Sequence, residues 1–329
     1  MRDTLVTLCE DFIVNRDEVK KALKLESDYI YPVCAAVFTD KKQKADVEKI
    51  KRCKEILKEQ TGLFSSFRSD AKPALIAMLA AEENPDEKMR KALKVYGFMK
   101  EHFSASAYLP LAAMILAGVA EESQYEELAA RTGRIYKLMK KEHPFLTSSE
   151  DSTFAGMLAL SEMSEAQIVE ETEACYSLMK KEFSSANAVQ SLSHVLALCG
   201  GNPEEKCSRT KELYEKLKAK RYKYGTGYEL ATLGVLAAIP ADLDRIVDDM
   251  IEVDRFLAEQ KGYGVLGVGK KQRLMHAGML VTSDYMGNGE NSVMNSAALS
   301  STISMIVAQQ VAMCAAIAAS SAAAASSSN

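Results

Sequence analysis

Two apolar patterns alternate along the chain. One is a short stretch apolar at almost every position, as in Leu109-Pro110-Leu111-Ala112-Ala113-Met114-Ile115-Leu116. The other is longer and amphipathic. In 164–183 the apolar positions Ile168, Ala174, Cys175, Leu178 and Met179 recur at helical spacing among Glu and Lys. A helix apolar all round is buried all round, whereas an amphipathic helix keeps one face in water. The alternation predicts hairpins, each with a short inner helix and a long outer one.

The pattern repeats with a period of about forty residues, the range of helical repeat proteins. Tetrads at the ends of the amphipathic stretches mark it: Tyr96-Gly97-Phe98-Met99, Tyr136-Lys137-Leu138-Met139, Tyr176-Ser177-Leu178-Met179, Tyr214-Glu215-Lys216-Leu217 and Asp254-Arg255-Phe256-Leu257. Lys54 to Leu57 is a weaker copy. A second anchor lies in the greasy stretches, at Met78-Leu79, Ile115-Leu116, Met157-Leu158, Val195-Leu196, Val235-Leu236 and Met279-Leu280. Asn84-Pro85-Asp86-Glu87 and Asn202-Pro203-Glu204-Glu205 are two copies of one helix-start signal. Asn caps, Pro stands where the missing N–H costs nothing, and the acids face the positive helix end. The expected fold is all-α: helical hairpins in two layers, an α-α superhelix (solenoid), with a closed α/α toroid around a central cavity as the alternative. About six units run from about residue 28 to 285, with 3–26 as an N-terminal cap. Residues 1–290 are expected to form a single helical domain.

Composition narrows the function classes. The 329 residues are 47% apolar and 26% charged, with net charge −4. Disorder of the whole chain is excluded, and the electrostatic case for nucleic acid is absent. The basic stretches 41–58 and 211–223 read as solvated outer faces. Only 17 Gly and 7 Pro argue against an all-β fold. Seven cysteines, with no C-x-x-C and no secretion signal, read as reduced thiols packed as small apolar groups, so the expected compartment is the cytoplasm. From Asn291 to Asn329 no residue is charged. Residues 297–319 read as an Ala/Ser-rich helix and 320–329 as a frayed tail. The helix is long enough for a bilayer. Gln309, Gln310 and the lack of flanking Lys or Arg argue instead for packing in a groove or against a second copy of the chain.

Candidate chemistry concentrates in loops. Gly262, Gly264 and Gly267 match G-x-G-x-x-G, and 264–270 match the start of a P-loop. No strand precedes them, and Lys271 stands where a P-loop has Ser or Thr. An inter-helix loop explains the glycines better. The loops after the outer helices nearly all combine aromatics with Ser, Thr or Gly, whereas the opposite loops are acidic. One rim is therefore aromatic and hydroxyl-rich, a composition used for recognition. The alternative is that its Phe and Tyr wedge between units while Ser and Asp cap inner helices. Candidate binding residues are Phe64, Phe67, Arg68, Asp70, Tyr108, Glu150, Asp151, Tyr228 and Lys270. Arg68 and Asp70 lead, since Arg suits a carboxylate or phosphate, although Asp70 equally suits an N-cap. On the rim reading, Arg68→Ala weakens binding without lowering the melting temperature. Glu150 and Asp151 form an acidic pair at the same rim. His102, His143, His194 and His276 make no metal-binding spacing, and no cofactor, metal site or catalytic residue is expected.

Thr61-Gly62-Leu63-Phe64-Ser65-Ser66-Phe67-Arg68, Phe103-Ser104-x-Ser106-x-Tyr108-Leu109 and the uncharged tail with its Gln-Gln pair resemble, over the whole chain, the uncharacterised bacterial family known as domain of unknown function 4003. The resemblance implies a helical bacterial protein and transfers no catalytic residue. The reading that follows is a cytoplasmic α-repeat scaffold binding a protein or peptide. The alternative is an α/α-toroid enzyme or small-molecule binder, in which the first and last units touch and polar groups converge on a cavity.

Overall fold

Side-chain caps start the outer helices where the sequence places them. In the computed structural model, Asn84 accepts the backbone N–H of Glu87, and Asn202 those of Glu204 and Glu205. Pro85 and Pro203 are the first helical residues. Asp46 and Asp242 cap two further outer helices, and Ser164 closes a capping box with Gln167. Each such cap is worth about 1 kcal/mol. The structure describes residues 1–199, 201–264 and 267–287, together with position 317.

Long outer helices and short inner ones alternate up to the last inner helix, which is 18 residues long. The outer helices are α1 (Asp3–Ala22), α3 (Val47–Gln60), α5 (Pro85–Met99), α7 (Tyr125–Glu142), α9 (Glu165–Met179), α11 (Pro203–Ala219) and α13 (Leu243–Ala258). The inner ones are α2 (Ile30–Asp40), α4 (Lys72–Ala80), α6 (Leu109–Val119), α8 (Asp151–Ala159), α10 (Ala186–Leu198), α12 (Leu230–Ala237) and α14 (Lys270–Gly287). The fold is all-α, and no strand occurs among the described residues. The chain forms two compact units, one of residues 14–161 and one of 1–13 with 162–329. In the first, α2, α4, α6 and α8 pack in succession, and α3, α5 and α7 form a second row against them. In the other, α10, α12 and α14 form one row and α9, α11 and α13 the second.

The inner helices are buried on every side, as their composition requires. All of Leu109–Ala117, Asp151–Ala159 and Leu230–Ala237 is buried. Outer helices bury one stripe, for example Ile50, Cys53, Ile56 and Leu57 in α3. The repeated tetrads lie on that stripe. Their last residues, Met99, Met139, Met179, Leu217 and Leu257, are buried. Their tyrosines take an aromatic from the loop that ends the preceding outer helix edge-to-face: Phe67 on Tyr96, Phe103 on Tyr136 and Phe183 on Tyr214, each with ring centroids 5.1 Å apart. One such pair contributes about 1 kcal/mol beyond its buried area. The Lys that follows a tetrad is bound in as well. Lys100 and Lys218 lie over the rings of Tyr96 and Tyr214, and Lys140 and Lys180 donate to the carbonyls of Thr147 and Ser184.

Residues 1–13 pack with α13 and α14. Arg2 donates to Asp249 at 2.9 Å and pairs with Asp284 at 2.7 Å. The Tyr285 hydroxyl donates to Asp249, and the Arg2 guanidinium lies over the Tyr285 ring. Both carboxylates are almost wholly buried. Burial and the Asp249 carboxylate push the Tyr285 phenol up to about 12. Among the described residues no helix is long and apolar enough to cross a membrane. The expected helix at 297–319 and the tail at 320–329 lie, apart from the buried Ile317, outside the described residues.

Removing one partner from a buried ion pair leaves an uncompensated charge and costs about 3 kcal/mol. Arg2→Met is therefore expected to lower unfolding stability by about that amount, read by urea denaturation. Asp249→Asn combined with Asp284→Asn in the Arg2→Met background should recover part of the loss.

Candidate functional site

In the unit of residues 14–161 every loop that leaves an outer helix enters the next inner helix. Neighbouring helices of a row run side by side, so the loops 23–29, 61–71, 100–108 and 143–150 emerge along one edge. Two classes of apolar side chain occur there. Phe67 is wholly buried and Phe103 half-buried, each against the next tyrosine. Leu25 (101% exposed), Leu63 (72%), Phe64 (98%) and Phe145 (99%) reach into solvent. Leaving one such side chain in water forgoes about 1.5–3 kcal/mol of burial. The wedge alternative thus describes Phe67 and Phe103, and it does not describe Phe64 or Phe145.

Arg68 is occupied within the fold. Its guanidinium donates to the carbonyls of Lys58 and Thr61, both at 2.7 Å, and to the Thr61 hydroxyl at 3.2 Å. Those carbonyls lie at the C-terminal end of α3, where helical partners run out. Ser65 caps the short turn 66–68 through the Phe67 N–H, and Tyr96 donates to the Ser66 hydroxyl. Asp70 is exposed, and α4 starts at Lys72 with no side-chain cap. Arg68 and Asp70 therefore do not act as a pair, because the cation holds a helix end and the acid faces water. Tyr108 is half-buried at the start of α6.

Glu150 and Asp151 sit where the loop enters α8. Asp151 is 2% exposed and accepts the Ser148 N–H at 2.8 Å. Burial raises its carboxyl to about 7, and the neighbouring Glu150 adds to the rise, while the Ser148 N–H and Lys140 oppose it. Burial raises Glu150 as well, against a hydrogen bond from the Ser148 side chain. A buried carboxylic acid that titrates near neutrality can give up or take a proton, the property of a candidate acid–base group.

In the other unit Tyr228 is half-buried in the loop before α12. Lys270 opens α14, with its ammonium 5.1 Å from the Tyr222 ring centre and donating to the Arg221 carbonyl. The Gly-rich loop before it closes on itself. Val268 N–H donates to the Gly262 carbonyl, Gly264 N–H to that of Val268, and Gly267 N–H to that of Gly264. Gly262 and Gly264 take positive φ, and a Cβ at Gly267 would lie 2.1 Å from the Gly262 oxygen. A phosphate cradle needs N–H groups pointing outward. These three are spent internally, so the glycines serve the turn. His276, 1% exposed, meets the Tyr263 hydroxyl at 3.0 Å, and no group of metal-ligating residues gathers among the described residues.

Of the exposed apolar residues on this edge, sequence reasoning made only Phe64 a candidate; it did not single out Leu25, Leu63 or Phe145, nor the Arg2, Asp249, Asp284 and Tyr285 cluster. Leu25 could have been found by treating the loop 23–29 as the first member of the rim. The cluster joins residues far apart in sequence, and only an uncompensated acid within an apolar inner helix, Asp284, hinted at it.

The comparisons with known proteins name no activity. A family model described as "Protein of unknown function (DUF4003)" matches residues 15–312. "Uncharacterized protein YeaA" of Bacillus subtilis (strain 168) is 25% identical over 304 residues, covering 87% of this chain and 91% of that protein. No solved structure matches.

Two outcomes are expected. Arg68→Ala frees two carbonyls at the end of α3 and should lower stability by about 1–2 kcal/mol, seen as a fall in melting temperature, with Arg68→Lys in between. For Asp151 the folded state holds its proton more tightly than the unfolded state, so its contribution to stability falls as pH rises from about 4 through about 7 and then levels off. Asp151→Asn should flatten a profile of melting temperature against pH across that window and melt above the parent at pH values higher still. An unchanged profile would show that Asp151 is ionised throughout.

Proposed function

The chain belongs to the DUF4003 family, and we propose that it is a cytoplasmic helical scaffold that binds a protein or peptide along the edge carrying Leu25, Leu63, Phe64 and Phe145. One observation carries the reading. Of the large apolar side chains exposed among the described residues, four lie in three loops of one edge, while Phe67 and Phe103 beside them are packed away. Exposed apolar side chains gathered on one edge of a rigid support point to an interaction site. Buried free cysteines suit a reducing compartment.

A second reading, a small-molecule binder, is favoured by Asp151, a buried acid whose carboxyl burial raises to about 7.

Photo-crosslinking in cells separates the two. A benzoylphenylalanine placed at Phe64 or at Phe145 is expected to capture the same protein, and one placed at Glu83, in an acidic loop, is not. The double variant Phe64→Ser/Phe145→Ser should abolish capture from Leu63 and leave the melting temperature within about 1 °C, because exposed positions contribute little to stability. Equal adducts from all three positions, or none, would sink the docking edge.

A further inference from the structure

Two buried cysteines adjoin across neighbouring outer helices. Along the outer rows, repeat register pairs Cys53 of α3 with Met89 of α5, Val95 with Ala129 of α7, and Leu213 of α11 with Val247 of α13. All six are buried packing residues. Between α9 and α11 the same two positions are Cys175 and Cys207, also buried. The Cys207 thiol lies 3.9 Å from the Cys175 carbonyl oxygen, which brings the two cysteines together across the α9–α11 interface.

A cation stands beside them. Lys206 precedes Cys207, and its ammonium is held by Glu171 and by the Cys199 carbonyl. The Cys175 contact, assisted by Lys206, lowers Cys207 below the ordinary thiol value, whereas that same contact and burial raise Cys175. The setting is unlike that of Cys9, Cys34 and Cys199, each raised chiefly by burial. A thiolate next to a resolving thiol is the arrangement that peroxides oxidise selectively.

We propose that Cys175 and Cys207 form a reversible disulfide that joins α9 to α11, with a peroxide as the oxidant. The Cys207 thiolate attacks one peroxide oxygen: an S–O bond forms, the O–O bond breaks, and the departing hydroxide takes the proton that the thiol released. Cys175 then loses its proton and attacks the sulfenic sulfur. The S–S bond forms, the S–O bond breaks, and the second oxygen leaves as water. Two thiols and one hydrogen peroxide give one disulfide and two waters. A small thiol reverses the reaction by exchange. Because both sulfurs are buried, oxidation waits on local opening of the outer row and is slower than at an exposed thiol.

The test uses the full chain in native buffer. It is treated with excess hydrogen peroxide, its free thiols are blocked with N-ethylmaleimide in denaturant, and it is mapped without reduction. The expected result is a peptide joining Cys175 to Cys207, two fewer maleimide adducts, full reversal by dithiothreitol, and a higher melting temperature for the oxidised form, since the cross-link restricts the unfolded chain. In Cys175→Ser the linked peptide should vanish and dimedone should label Cys207. The wild-type map decides the matter even if that variant folds poorly. Cys175 and Cys207 both fully alkylated after prolonged treatment, or linked only to other cysteines, overturns the proposal.

Discussion

A helix with no wet face cannot send its end groups to water. That constraint governs the buried ends of the inner helices, whose carbonyls and N–H groups are met by groups from elsewhere in the chain. Cations of the outer helices meet many of them. Arg209 reaches the carbonyls of Ala237 and Ile239 beyond the end of α12, and Lys206 reaches that of Cys199 after α10. Lys49 does the same for Glu82 after α4, and Lys41, at the end of the neighbouring inner helix α2, reaches the Ala81 carbonyl. The negative helix end is where a cation gains most, so one contact satisfies both hydrogen bonding and the dipole.

The opposite edge obeys the same constraint with different chemistry. There the outer helices end, and Arg68, Lys140 and Lys180 donate to carbonyls at or just beyond those ends. Aromatic pairs seal the gap between one hairpin and the next. Most of the residues that give this edge its appearance of a recognition surface are thereby spent on the fold. What remains exposed is small and specific, namely Leu25, Leu63, Phe64 and Phe145. Their exposure costs folding free energy and returns none within the chain, which is why function is sought there.

Buried polar groups mark the places where the apolar rule is broken. Asp284 on α14 is compensated by Arg2 from the other end of the chain, and Asp151 on α8 is accommodated by holding its proton to near neutrality. The two solutions follow from what is within reach. A guanidinium neutralises a carboxylate outright, whereas backbone N–H groups and a lysine at a distance only soften the desolvation. Cys175 and Cys207 break it more mildly, by placing two thiols together where the corresponding pairs of neighbouring outer helices hold one or none.

By itself the sequence determined the helices, their alternation and most of their caps. These depend on local chemistry: apolar periodicity, Asn-Pro starts, and Lys at the far ends. It also exposed the tetrad beat, because each tetrad makes the same kind of contact with its own neighbours. The tertiary structure decided everything that turns on which side chain meets which. Arg68 as a helix cap and Asp70 as an exposed acid read alike in sequence, as do buried Phe67 and exposed Phe64, because both pairs share one short loop and differ only in direction. The Arg2 cluster was invisible for a further reason: its members are separated by most of the chain, and no local pattern encodes a meeting that packing alone brings about.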